Sequence, residues 1–169
     1  DQNVMNILIL CFIWGVVASS WDLIMGTAGI FTFGQVAFYV IGAYASAILT
    51  RTFGISPWLG ILAGGLITAV IGILVGLPCL RLKGSYVALV TFAVHMILEP
   101  FLKSNPGRAL GTGGPQGILS IPPLTLFGYT YDSMELVPWF YTVLVISLIS
   151  LLIIYKVIHS SWGLAFITI

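Results

Sequence analysis

His95 and Glu99 stand four residues apart, a spacing that brings an imidazole and a carboxylate onto one face of a helix. Such a pair can hold a metal, relay a proton or contact a polar substrate. A zinc-type site needs at least three protein ligands, and no third ligand follows at usable spacing, so a metal is not expected. The relay or contact reading stays open beside a plainer one: a polar face buried between helices, or an interfacial helix end closed by Pro100 and Lys103. Asp22 follows Trp21 near the end of an apolar run, where it is either an interfacial carboxylate beside an aromatic anchor or a polar group facing a path. Thr112 lies in Gly111-Thr112-Gly113-Gly114-Pro115-Gln116-Gly117, whose glycine density is like that of a phosphate-cradling loop. The lysine followed by serine or threonine that a nucleotide loop needs is absent, so the stretch is not expected to bind ATP, and Thr112 is kept as a polar loop contact.

A second group of polar residues carries no charge. Thr27, Gly29, Thr32, Gly34 and Gln35 interrupt an apolar run between Gly26 and Gln35. In lipid, a free backbone N–H or C=O costs several kcal/mol, so a glycine-broken segment belongs inside protein or along a cavity. Neutral hydrogen-bonding groups suit a translocation path, because a charged, tight site would hold its solute. For Gln35 the plainer reading is a satisfied bond between helices.

The elements that must hold these residues follow from composition. The chain has 169 residues, 59% hydrophobic and 7% charged, against roughly 25% charged in a soluble domain. Lipid must therefore be the solvent for most of the surface, and the net charge of +1 points neither to nucleic acid nor to an anionic partner. The expected fold is all-α, a polytopic membrane bundle of about five spanning helices over residues 4–25, 35–49, 57–77, 85–103 and 137–158, broken near residues 26–35. Residues 50–56 are expected as a short polar connection, and Pro78 as the end of the third helix. Gly60, Gly64 and Thr68, with Gly65, Ala69, Gly72 and Gly76, recur at spacings of four residues, three between Ala69 and Gly72, that let helices approach closely. Residues 104–136, rich in Gly and Pro, are expected to cap one membrane face from outside the cytoplasm. Cys11 and Cys79 sit in or beside apolar segments and suit packing better than a disulfide. Basic residues divide evenly, Arg81, Lys83 and Lys156 against Arg51, Lys103 and Arg108; the short loop of Arg81 and Lys83 tilts that side towards the cytoplasm.

Several blocks in fixed order resemble a known family. They are Gly26-Thr27-Ala28-Gly29, Phe33-Gly34-Gln35-Val36-Ala37-Phe38, Ile41-Gly42-Ala43-Tyr44, Gly76-Leu77-Pro78-Cys79-Leu80-Arg81-Leu82-Lys83-Gly84-Ser85-Tyr86, Leu89-Val90-Thr91-Phe92 and Gly111 to Gly117. Together, over roughly residues 20–166, they resemble the permease subunits of branched-chain amino acid ABC importers. Urea-type and other amide-type permeases carry much the same blocks. The resemblance implies a multi-pass, pore-forming subunit of the bacterial inner membrane with no catalytic residues and no cofactor of its own. It implies as partners a second permease subunit, two cytoplasmic ATPase subunits that bind ATP, and a periplasmic binding protein that supplies Leu, Ile or Val.

In such permeases the segment comparable to Ser160, Trp162 and Gly163 leads into the cytoplasmic coupling helix, which places Lys156 in the cytoplasm. Here Leu164 stands where the family usually has a basic residue. The coupling helix and further spans are expected beyond Ile169, so residues 1–169 are read as one transmembrane permease domain, incomplete at its C-terminal end. Two other classes compete with the importer. One is a self-contained small channel or substrate-capture subunit with no ATPase, built on His95 and Glu99. The other is a structural helix bundle, which would not need the broken segment.

Overall fold

Apolar runs that must satisfy every backbone group without water have one local solution, the helix. The computed structural model describes residues 2–27, 29–79, 81–82, 85–119, 121–126, 129–131 and 136–160. Five of its helices are long and apolar enough to cross a membrane: Gln2–Thr27, Gln35–Phe53, Pro57–Cys79, Ser85–Lys103 and Leu136–Ile158. The first is an α-helix, α1 (Gln2–Asp22), that widens into a π turn at Leu23–Thr27. The others are α2 (Gln35–Phe53), α3 (Pro57–Cys79), α4 (Ser85–Lys103) and α6 (Leu136–Ile158), with a short α5 (Asn105–Ala109) and a 3-10 turn (Gly114–Gln116) between the last two. One small hairpin departs from the all-α pattern, β1 (Thr125–Leu126) pairing antiparallel with β2 (Tyr129–Thr130).

Helix ends differ from the sequence expectation where no residue forces a stop. The polar run Thr50-Arg51-Thr52-Phe53 is not a connection but the last turn of α2, which ends only at Gly54, whose φ of 62° closes the helix in the left-handed conformation. Pro78 does not close α3; it lies in the final turn, and the helix ends one residue later at Cys79. Proline removes a single i−4 bond, so near a terminus the helix survives it. Pro100 is held in the same way three residues before the end of α4.

The chain forms two compact units, Asp1–Thr32 with Tyr131–Ile169, and Phe33–Thr130. In the first, α1 packs along α6. Phe12 meets Phe140 edge to face at 5.9 Å between ring centroids, and Tyr131 packs on Trp139 at 5.5 Å. Tyr131 and Thr142 share a hydroxyl hydrogen bond of 3.1 Å. In the second unit, α2 and α3 pack through two rows of small residues in register. A Cβ added at Gly64 would lie 2.7 Å from the Gly42 carbonyl and 3.1 Å from Ser46, and one at Gly60 would run into Thr50 Oγ1. Gly42 itself faces Thr68 Oγ1. The two backbones are thus in near contact, the arrangement that lets dispersion hold helices together where no hydrophobic force acts between them.

The opposite faces are aliphatic. Leu59, Leu62, Leu66, Val70, Ile73 and Leu74 of α3 are all more than half exposed, and α3 buries Gly60 and Gly64 instead. The largest fully buried side chains among the described residues are Thr50 and Thr112. Hydroxyls inside the helices are satisfied by the preceding turn, Thr50 by Ser46 O and Thr68 by Gly64 O at 2.8 Å each, and Ser147 by Leu144 O at 2.8 Å. This inside-out distribution fits a lipid solvent.

Candidate functional site

Two places gather the polar residues. The first is the break after α1. Thr27 closes the π turn, its hydroxyl donating to Leu23 O. Gly29 takes a φ of 63°, the left-handed region in which a side chain is strained. Thr32 is buried, and its carbonyl accepts a 2.8 Å bond from the Trp21 indole N–H. One residue further, within the second unit, Phe33 N donates 3.1 Å to Thr91 Oγ1 of α4, and the Phe33 and Phe92 rings meet edge to face at 5.9 Å. Gly34 is buried and sits at the N-terminal cap of α2, its carbonyl accepting from Phe38 N at 3.0 Å; Gln35, half-buried, opens the helix. The backbone groups freed by the break are thus met in part by side chains.

Thr91 is a residue that sequence reasoning missed. Its hydroxyl accepts from Phe33 N and faces Val87 O at 2.9 Å and Ala88 O at 3.1 Å, and the residue is only 5% exposed. The signal was present in Leu89-Val90-Thr91-Phe92, where a hydroxyl stands alone among apolar residues of a helix.

The second place is a cleft between α2 and α4 of about 270 Å³, lined by Val40, Tyr44, His95, Leu98, Glu99, Leu102 and Lys103. The four-residue spacing does put His95 and Glu99 on one face, and the structure adds Lys103 one turn further on. Lys103 Nζ lies 2.6 Å from Glu99 Oε1. His95 Nδ1 is buried and has no hydrogen-bond partner. Among the described residues no group of three His, Cys, Asp or Glu side chains is placed to hold a metal.

The remaining candidates lie apart from the cleft lining. Asp22 is exposed as the last residue of α1, one turn before Gly26, where an added Cβ would sit 3.3 Å from its carboxylate. Thr112 is 1% exposed, its hydroxyl donating 2.7 Å to Leu102 O, one of the last carbonyls of α4 and without a partner further along that helix. Ser160 follows α6, its hydroxyl on Val157 O at 2.8 Å. Trp162 and Gly163 lie outside the described residues.

Comparison with known proteins adds what geometry alone does not. Residues 3–169 match the family model described as branched-chain amino acid transport system, permease component. The chain is 35% identical over 132 residues to the high-affinity branched-chain amino acid transport system permease protein LivM of Escherichia coli strain K12. It is 34% identical over the same length to the LivM protein of Salmonella typhimurium strain LT2. Each match takes in 78% of this chain and 30% of the relative, so the chain spans well under half the length of these relatives. No solved structure matches at a significant level.

Proposed function

The chain belongs to the branched-chain amino acid transport permease family, a multi-pass protein of the inner membrane by its family and its five apolar helices, and on that premise we propose that it forms part of the pore of an ATP-driven importer of branched-chain amino acids. The observation that carries this is the family match along almost the whole chain. It binds no ATP itself and catalyses no reaction; two cytoplasmic ATPase subunits supply the energy, a second permease subunit completes the pore, and a periplasmic binding protein delivers the solute. Thr27, Gly29, Thr32, Gly34 and Gln35 contribute neutral backbone and side-chain groups to the path, suited to passage without tight capture. Ser160, Trp162 and Gly163 lead towards the ATPase contact.

The test is complementation. Cells deprived of their own branched-chain permeases and auxotrophic for leucine are given the gene with its partner genes. Growth at micromolar leucine that is lost when an ATPase subunit is inactivated is the expected result. Restored growth on urea or a small amide but not on leucine would overturn the substrate assignment.

A further inference from the structure

The α2–α4 cleft joins apolar walls to an ion pair. Its walls are apolar, from Val40, Leu98 and Leu102, while at one end two opposite charges, Glu99 and Lys103, stand 2.6 Å apart. Their side chains are 72% and 53% exposed respectively, so the pair is held weakly and opens at small cost to admit other partners. His95 lines the same cleft one turn before Glu99.

The charges narrow the ligand class. The pair is neutral overall, so it offers no net attraction to an inorganic ion of either sign. It complements a molecule that carries both signs on adjacent atoms and an apolar group beside them. The cleft volume of about 270 Å³ lies at the lower edge of the range for ligand pockets, roughly 300–1,000 Å³, and fits a small metabolite.

We infer that this cleft is a weak receiving site for a zwitterionic aliphatic amino acid: Lys103 takes its carboxylate, Glu99 its ammonium, and Val40, Leu98 and Leu102 its side chain. The inference rests on the transport function proposed above and adds a place on this chain where the solute is held. Because the same two side chains re-form their own pair when the solute leaves, release is not obstructed, as transport requires.

The experiment uses the chain assembled with its partner subunits in proteoliposomes. A Val40→Cys substitution, in a background carrying Cys11→Ala and Cys79→Ala, places a thiol on the cleft wall. Its modification by neutral N-ethylmaleimide is timed with and without leucine, and leucine uptake is measured in parallel. Leucine at millimolar concentration is expected to slow modification several-fold, whereas isoamylamine and isocaproate, each lacking one charge, protect only weakly. Adding Glu99→Gln, or separately Lys103→Gln, should raise the leucine concentration for half-protection about tenfold, the loss expected for one charge-assisted hydrogen bond. An unchanged modification rate without leucine shows that the variant cleft is intact.

Equal rates with and without leucine, in vesicles that still take leucine up, would overturn the inference and leave the transport function standing. Protection that ignores both substitutions would also overturn it, since the charges would then play no part. So would protection by phosphatidylethanolamine vesicles without leucine and not by phosphatidylglycerol vesicles, which assigns the cleft to lipid. Absence of uptake with protection retained would sink the transport function and not the site.

Discussion

A methyl group added at Gly64 meets the Gly42 carbonyl at 2.7 Å, whereas one added at Gly65 meets nothing within 4 Å. The two neighbours therefore make a controlled pair. Gly64→Ala forces α2 and α3 apart and is expected to lower stability by about 1–3 kcal/mol. Gly65→Ala should leave it unchanged or raise it slightly, alanine being the better helix former by about 1 kcal/mol. Thermal unfolding of the two variants in detergent checks the difference. Thr91 offers a second test at this scale. Thr91→Val keeps the shape but leaves Phe33 N without its acceptor, at a cost of about 1–3 kcal/mol, while Thr91→Ser retains the hydroxyl and should lose much less. A Thr91→Val protein as stable as the parent would show that the bond does not hold the break. The four-residue spacing of Gly60, Gly64 and Thr68 was readable in the sequence as a packing face. The spacing of Gly65, Ala69, Gly72 and Gly76 looked the same, and only the position of α2 tells the two faces apart. The hydroxyl of Thr91 stands out among apolar neighbours in the sequence, but its partner does not, because Phe33 is 58 residues away.

Elements were legible to the degree that local residues force them. The bounds of α4 fall at Ser85 and Lys103 as the sequence suggests; the helix runs past Pro100 and stops where Ser104 turns extended to cap α5. The end of α2 was placed too early because Thr50, Arg51 and Thr52 are polar. Polarity does not stop a helix, whereas Gly54 with its left-handed φ does. The break near residues 26–35 was legible from its glycines and threonines, but the π turn at Leu23–Thr27 was not, because nothing in Leu-Ile-Met-Gly-Thr distinguishes a wide turn from a regular one. The break depends on Gly29. Its φ of 63° makes Gly29→Ala cost about 1–2 kcal/mol even though no neighbour stands within 4 Å of the added carbon. A lower midpoint in thermal unfolding, with the helix content of the folded state unchanged, is the expected outcome. An unaltered midpoint would mean that the backbone there relaxes freely.

At the scale of the whole molecule, composition alone settled the class. With 7% charged residues and exposed leucine and isoleucine along α3, lipid is the only solvent that suits the surface. The cleft was half legible: His95 and Glu99 share a face by spacing, but Val40 and Tyr44 come from another helix, and no local pattern in the sequence announces them. The family came from the ordered blocks and the family match, and the proposed function rests on it, because helix packing of this kind serves many purposes. Energy coupling separates an importer subunit from a channel. The most direct measurement is leucine uptake into proteoliposomes that hold the chain with its partner permease and ATPase subunits, with binding protein and ATP supplied from their respective sides. Accumulation above the external concentration that stops when ATP is replaced by a non-hydrolysable analogue is the predicted result. Equilibration of leucine without ATP, or conductance through the chain alone, would contradict it.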